Sequence, residues 1–183
     1  MKSVIFTRVS TKDQEDGHSL NAQLERLKRY SEQKNLTIIR EYQISESSTL
    51  GDRKKFNEMI NFIKDESKKS KSTIALIVDS VDRLQRGFKE SALIDDLRKD
   101  KILEIHFYKE GFVLNEKSPS GDIIRWDFGI LGAKMYVQSL SDNVKRGNLY
   151  ALNSGHYPGK PPIGYKKVIL AGGKRSVYTM ELD

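Results

Sequence analysis

Thr73-Ile74-Ala75-Leu76-Ile77-Val78, followed at once by Asp79-Ser80-Val81-Asp82-Arg83-Leu84-Gln85-Arg86, is the stretch from which the fold can be read. A nearly continuous apolar run of this length suits a strand covered on both faces, as in a parallel sheet with helices on either side. Polar residues begin where that strand ends, and in open α/β sheets sites lie beyond the carboxyl ends of the strands.

Upstream, Ser3-Val4-Ile5-Phe6 reads as a first strand. Thr7-Arg8-Val9-Ser10-Thr11-Lys12-Asp13-Gln14 follows it and sets a guanidinium and a hydroxyl just past a strand end. Ser19 suits a helix cap, and Leu20, Leu24, Leu27 and Tyr30 then recur on one face of an amphipathic helix closed by Lys34-Asn35. Thr37 to Tyr42 reads as a second strand, and Ser45 to Asp52 as a loop of small polar residues ending at Arg53. Phe56, Met59, Ile60 and Ile63 mark the next helix. Downstream of the central run come a helix through Leu93, Ile94 and Leu97, a strand from Ile102 to Tyr108, and a short further strand at Gly111 to Leu114. This βαβαβαβ alternation predicts an α/β domain over residues 1–119, a mostly parallel sheet flanked by helices.

From Ser120 the period changes. Ile123, Trp126, Ile130, Ala133, Val137, Leu140 and Val144 alternate three and four apart, a seven-residue repeat. Ile124, Phe128, Leu131 and Met135 form a second stripe beside its first half. A helix of about 28 residues would run roughly 42 Å at 1.5 Å per residue, longer than a domain of this size needs. One stripe is expected to lie on the domain and the other to meet a partner, so residues 120–153 are read as an oligomerisation helix. Gly147 and Asn148 weaken it, and Gly155 ends it. His156-Tyr157-Pro158-Gly159-Lys160-Pro161-Pro162-Ile163-Gly164-Tyr165 cannot be helical and reads as an extended basic linker. Residues 154–183 are expected to be this linker and the start of a further module, too few to fold alone.

The net charge of +7 is concentrated. Lys145, Arg146, Lys160, Lys166, Lys167, Lys174 and Arg175 fall in a stretch without an acidic residue, and the rest of the chain balances at 25 against 25. A neutral globule with a basic tail points to a polyanion, most often nucleic acid, over a merely solvated tail. The absence of cysteine rules out disulfides and thiolate metal sites, and His18, His106 and His156 are too scattered for a structural zinc. No apolar run approaches the roughly 18 residues of a membrane span, and the N-terminus is no signal peptide, so a cytoplasmic protein is expected.

Chemistry is expected where strands end, at Arg8 with Ser10, at Arg53, and at Asp82-Arg83-Leu84-Gln85-Arg86. Ser-His-Asp catalysis lacks a suitable histidine, two-metal chemistry lacks clustered carboxylates beyond Asp79 and Asp82, and there is no Gly-rich phosphate loop. A serine with several arginines can attack a phosphodiester. Guanidinium groups bind non-bridging oxygens in pairs and stabilise the charge of a pentacovalent transition state. Asp82 would either orient arginines or exchange a proton with the leaving oxygen. Taken singly, each piece also has a bland reading: Ser10 as a loop cap, or Asp82 and Arg86 as a surface pair.

Together these stretches resemble the serine recombinases, the resolvases, invertases and serine integrases. The resemblance is carried by Thr7-Arg8-Val9-Ser10-Thr11 with Gln14, Ser19-Leu20-Asn21-Ala22-Gln23, Arg53 with Phe56 and Met59, and Val81 to Arg86, in order across residues 1–147. Leu140-Ser141-Asp142-Asn143-Val144-Lys145-Arg146-Gly147 and Gly159 to Tyr165 resemble the large members, in which the long helix leads into a DNA-binding recombinase domain. The resemblance implies a resolvase-like fold and Ser10 as the nucleophile that forms a 5′-phosphoserine link to cut DNA. Arg8, Arg83 and Arg86 would bind the scissile phosphate, with Arg53 joining from its loop and Gln23 and Asp82 in support. Lys145, Arg146, Lys160, Tyr165, Lys166 and Lys167 would contact DNA, and Ile123, Trp126, Ile130, Ala133, Val137 and Leu140 would serve oligomerisation.

The resemblance further implies no metal or nucleotide cofactor, and double-stranded DNA attachment sites as the partner. Homodimers would pair through the long helix and assemble into homotetramers, in a bacterial or phage-encoded, nucleoid-associated protein with no membrane contact. Two departures stand out. Tyr136-Val137 occupies a place where many small resolvases carry Glu-Arg, and the recombinase and zinc-bearing regions of large members are expected to be missing. The competing readings are an inactive DNA-bound regulator or assembly module, opposed by the intact serine and arginine set, and a nuclease or phosphotransferase for small substrates, opposed by the basic tail and long helix.

Overall fold

In the computed structural model, residues 1–9, 19–45, 49–84, 88–155, 158–160, 163–169 and 176–180 are described; the side chains of 9, 19, 20, 45, 49–53, 88, 89, 165–169 and 176–180 are not. The elements are β1 (Lys2–Val9), α1 (Ser19–Gln33), β2 (Thr37–Ser45), α2 (Thr49–Ser70), β3 (Ile74–Val78), α3 (Val81–Leu84), α4 (Phe88–Lys99), β4 (Leu103–Phe107), β5 (Phe112–Leu114), α5 (Ser120–Asn153), β6 (Tyr165–Ile169) and β7 (Ser176–Met180). Two compact units are formed, Met1–Lys134 and Met135–Asp183.

The first unit is built on a five-stranded sheet in the order β2-β1-β3-β4-β5. The β1–β2, β1–β3 and β3–β4 pairings are parallel, and β5 adds antiparallel to β4. The central run is covered on both faces, with every residue of β3 buried. One face, carrying Val4, Phe6, Leu76, Val78, Ile105 and Phe107, packs on Phe56, Met59, Ile60 and Ile63 of α2, Ile94 and Leu97 of α4, and Trp126 and Ile130 of α5. The other face presents Ile5 and Ile77 to Leu27 of α1, with Leu24 and Tyr30 beside them. The alternation of a strand thus decides which helix each residue meets.

α1 ends where the sequence places its end, with Asn35 in the left-handed region at φ 53° and the Leu36 N–H donating to the Ser31 carbonyl at 2.9 Å. The expected loop at 45–52 is shorter than read. β2 runs to Ser45 and α2 starts at Thr49, so Arg53 stands within the first turns of a helix. Small polar residues such as Thr49 and Asp52 are as much at home in a helix's opening turn as in a loop.

Near the β5 edge, a polar chain crosses the face covered by α1. The Tyr30 hydroxyl meets His106 Nδ1 at 3.0 Å, His106 Nε2 meets Glu104 Oε1 at 2.9 Å, and Asn115 Nδ2 donates to Glu104 Oε2 at 2.9 Å. These partners place the imidazole proton on Nε2, so that Nδ1 accepts from the tyrosine. The hydrogen bond from His106 holds the Glu104 carboxyl below its ordinary range against the opposing effect of burial, and Asn115 adds to it. Burial pushes the Tyr30 phenol up, and the Glu104 charge pushes it further.

α5 spans the 120–153 range read for it, 34 residues, and outlasts the roughly 28 residues of the apolar repeat by continuing through Gly147. A single glycine costs a helix interior only about 1 kcal/mol. Gly155, at φ +76°, follows its end. In the second unit the tail expected to be too short to fold instead pairs β6 with β7 as an antiparallel hairpin, Tyr165 opposite Met180 and Ile169 opposite Ser176. β-branched and aromatic residues in both segments, Tyr165, Val168, Ile169, Val177, Tyr178 and Thr179, favour strand pairing.

Two outcomes follow for the first unit. Leu76→Ala, at a fully buried position, is expected to lower unfolding free energy by about 2–5 kcal/mol in denaturant titration. Because its folded-state pKa is depressed, Glu104 contributes stability that is present above the unfolded glutamate pKa and lost as pH falls through the lower folded value. Glu104→Gln should therefore flatten the acid limb of a stability-against-pH curve, and an unchanged limb would remove the network as its cause.

Candidate active site

The register of the sheet assembles the site. Phe6 pairs with Val78 across β1 and β3, so Arg8 and the turn after Val78 emerge at the same end. Beyond Val78 the chain turns polar at Asp79 and Ser80, at the carboxyl end of the parallel strands. Arg8 Nη2 donates to the backbone carbonyl of Asp82 at 2.9 Å. Asp82 lies in the one-turn helix α3, whose Val81 and Leu84 are buried and anchor it to the core.

Within this turn the Ser80 hydroxyl donates to Asp82 Oδ1, and the Arg83 N–H donates to the Ser80 carbonyl at 3.1 Å. Arg83 Nε stands 3.7 Å from Asp82 Oδ2. Asp82 is about half exposed and Arg83 somewhat less so. The aspartate therefore orients its neighbouring guanidinium while both remain reachable. Two cationic side chains and a carboxylate converge at adjacent strand ends, an arrangement suited to gripping an oxyanion such as a phosphate diester.

Of the residues expected to carry chemistry, Arg8, Asp82 and Arg83 are brought together. Gln23 is buried on the sheet-facing side of α1. Ser10 and Arg86 lie outside the described residues, as does the side chain of Arg53. Lys145 and Arg146 are exposed near the end of α5, with Arg146 Nη2 on Asn143 Oδ1 at 2.5 Å, and Lys160 is exposed. Tyr165, Lys166 and Lys167 fall in β6, their side chains outside the described set.

The long helix divides its apolar residues differently from the expected oligomerisation set. Trp126 and Ile130 are buried in the sheet's own core and Ile123 packs against it, so these members of the repeat are already occupied within the chain. Ala133 is half-buried, and Val137 and Leu140 are exposed. The second stripe, Ile124, Phe128 and Leu131, faces solvent in the first unit.

Sequence reading passed over Asp79 as anything more than half of a possible carboxylate pair. Its carboxylate is 2% exposed yet charged partners reach it from two elements. Lys109 Nζ approaches Oδ2 at 2.6 Å from the β4–β5 turn, and Arg26 Nη2 approaches Oδ1 at 3.7 Å from α1. Arg26 and Lys109 are each about half exposed, so the pairing joins a buried anion to two cations at the same sheet end as Arg8. An aspartate directly after an apolar run was the available signal, but partners 53 and 30 residues away were not visible in it. Among the described residues no group of three or more His, Asp or Glu side chains could hold a metal ion.

Comparison with known proteins places this arrangement. None of the curated proteins matches the sequence. The N-terminal catalytic domain of TP901-1 integrase is similar in structure at TM-score 0.52 and 22% identity, covering 76% of this chain and 98% of that one. A resolvase family site-specific recombinase from Streptococcus pneumoniae is similar at TM-score 0.52 and 22% identity, covering 85% of this chain and 97% of that one. At such identity these likenesses speak to the fold. Residues 3–157 match the family described as Resolvase, N terminal domain, which takes in all but the first residue of the five-stranded sheet, the turn after β3 and all of the long helix. The chain belongs to that family, the catalytic domains of the serine recombinases.

Proposed function

We propose that the chain is the catalytic part of a site-specific DNA recombinase in which Ser10 attacks a DNA phosphodiester. The observation that carries the reading is the meeting of Arg8 with the Asp82-Arg83 turn, Arg8 Nη2 to Asp82 O at 2.9 Å, at the strand ends immediately before Ser10. In the proposed step the Ser10 oxygen forms a bond to phosphorus as the bond to the 3′ oxygen breaks. The serine proton leaves, and the 3′ oxygen takes one up as a hydroxyl. The product is a 5′-phosphoserine, and attack by a 3′ hydroxyl in reverse rejoins the strand.

Arg8 and Arg83, joined by Arg53 and Arg86, would neutralise the charge that grows on the non-bridging oxygens. Asp82 holds Arg83 in place, and Gln23 supports the site from α1. No metal or nucleotide is asked to take part. The partner is double-stranded DNA carrying an attachment site, with Lys145, Arg146 and Lys160 as phosphate contacts further along the chain and Tyr165, Lys166 and Lys167 of β6 beyond them.

The second half of the proposal is assembly. Phe128, 67% exposed, with Ile124 and Leu131 beside it, forms an apolar patch on the helix that water does not favour. Burying it against a second copy would pair two chains, and two such dimers would form the tetramer in which cut strands are exchanged. Val137 and Leu140, exposed in the second unit, continue the supply of apolar contact.

Expressed in cells and lysed in denaturant, the protein is expected to carry DNA joined through its 5′ phosphate, and Ser10→Ala to carry none. Sequencing the attached ends would identify the site. An adduct that persists in Ser10→Ala would move the nucleophile elsewhere; DNA binding with no adduct in the native chain would favour an inactive DNA-bound module. For assembly, Phe128→Asp should shift sedimentation toward the monomer with thermal stability unchanged, and an unaltered sedimentation profile would take Phe128 out of the interface.

A further inference from the structure

We propose that Glu110 is a positioning residue for the turn that carries Asp82 and Arg83, and that it transmits to this turn the placement of the first turns of the long helix. Glu110 lies in the β4–β5 turn, between Phe107 and Phe112. Its Oε1 accepts from the backbone N–H of Val81 at 3.0 Å, and its own backbone carbonyl accepts from Arg125 Nη2 at 2.6 Å. Arg125 is itself steadied by the Phe112 ring, 4.9 Å from its guanidinium carbon. A single residue thus touches the site-bearing turn through its side chain and α5 through its main chain.

A second contact links the same two elements. Gly129 of α5 lies so close to Val81 that a Cβ built on it would stand 2.9 Å from Val81 Cγ1. Val81 is 2% exposed and β-branched, so its side chain has little freedom to move aside. The turn is therefore held at three places, by Glu110 on the Val81 N–H, by Gly129 against the Val81 side chain, and by Arg8 on the Asp82 carbonyl.

Stability alone explains Glu110 poorly. Its Oε2 is buried without a hydrogen-bond partner among the described residues. A carboxylate taken out of water with one oxygen left in that condition is a weak source of folding energy. What it does supply is direction, because the Val81 N–H opens α3, has no acceptor within it, and would otherwise be free to turn. The chemical meaning of the role rests on the recombinase reading above; the geometry stands without it.

The test uses the full chain with Glu110→Ala and Glu110→Gln, since glutamine keeps an acceptor oxygen for Val81. Amide hydrogen exchange without DNA should rise about tenfold at Val81 in Glu110→Ala, stay near native in Glu110→Gln, and leave the β3 amides unchanged in both. Adduct yield in the cellular assay should fall about tenfold in Glu110→Ala and recover in Glu110→Gln. Should Glu110→Ala not fold, Arg125→Gln, which leaves the Glu110 side chain in place but releases its carbonyl and the Phe112 ring, should raise Val81 exchange about threefold, a smaller effect of the same kind. Unchanged Val81 exchange, a rise shared by β3, a glutamine variant as impaired as alanine, or a native adduct yield in Glu110→Ala would each overturn the proposal. Absence of adduct from the native chain would count against the recombinase reading, while the exchange measurement would still decide whether Glu110 places the turn.

Discussion

Burial of both faces of the central strands is the constraint on which the rest depends. β3 is enclosed along its whole length, and the residues of β1 and β3 alternate between the core under α2, α4 and α5 and the smaller one under α1. A strand so enclosed can carry little polar chemistry along its length. Functional groups are therefore driven to the strand ends, and parallel pairing brings the ends of β1 and β3 out on the same side. Arg8, Asp79 and the Asp82-Arg83 turn meet there for that reason.

Polar groups at this rim are held in more than one way. Asp79 is buried and draws Lys109 and Arg26 toward the end of β3 from two other elements. Asp82, by contrast, is half exposed and shares its carboxylate between Ser80 and Arg83. The buried carboxylate ties elements together, whereas the exposed one shapes a surface. Each arrangement leaves a guanidinium at the surface, Arg26 in the first and Arg83 in the second.

The long helix belongs to the same logic. Its opening turns complete the core through Trp126 and Ile130, while Arg125 and Gly129 touch the elements that carry the site. A helix that both closes a core and leaves Phe128 exposed has two apolar faces, one covered and one open to solvent. The placement of the turn carrying Asp82 and Arg83 is thereby tied to an element that also leaves an apolar stripe exposed.

Much of this was legible in the residues. The βαβ alternation, the two-sided burial of β3 and the helical faces of Leu24 with Leu27 and of Phe56 with Met59 follow from periodicity, because water sorts apolar from polar side chains at the repeat of each element. Strand ends as the seat of Arg8 and Asp82-Arg83 followed as well, and the serine recombinase resemblance lay in short ordered motifs. The start of α2 and the β6–β7 hairpin were not legible, since boundaries rest on small energies that neighbouring contacts override. Which stripe of α5 is buried, the partners of Asp79, and the grip of Glu110 on Val81 were decided only by tertiary structure. Each joins residues far apart in the chain, and local patterns report what a side chain prefers without saying which distant group will stand beside it.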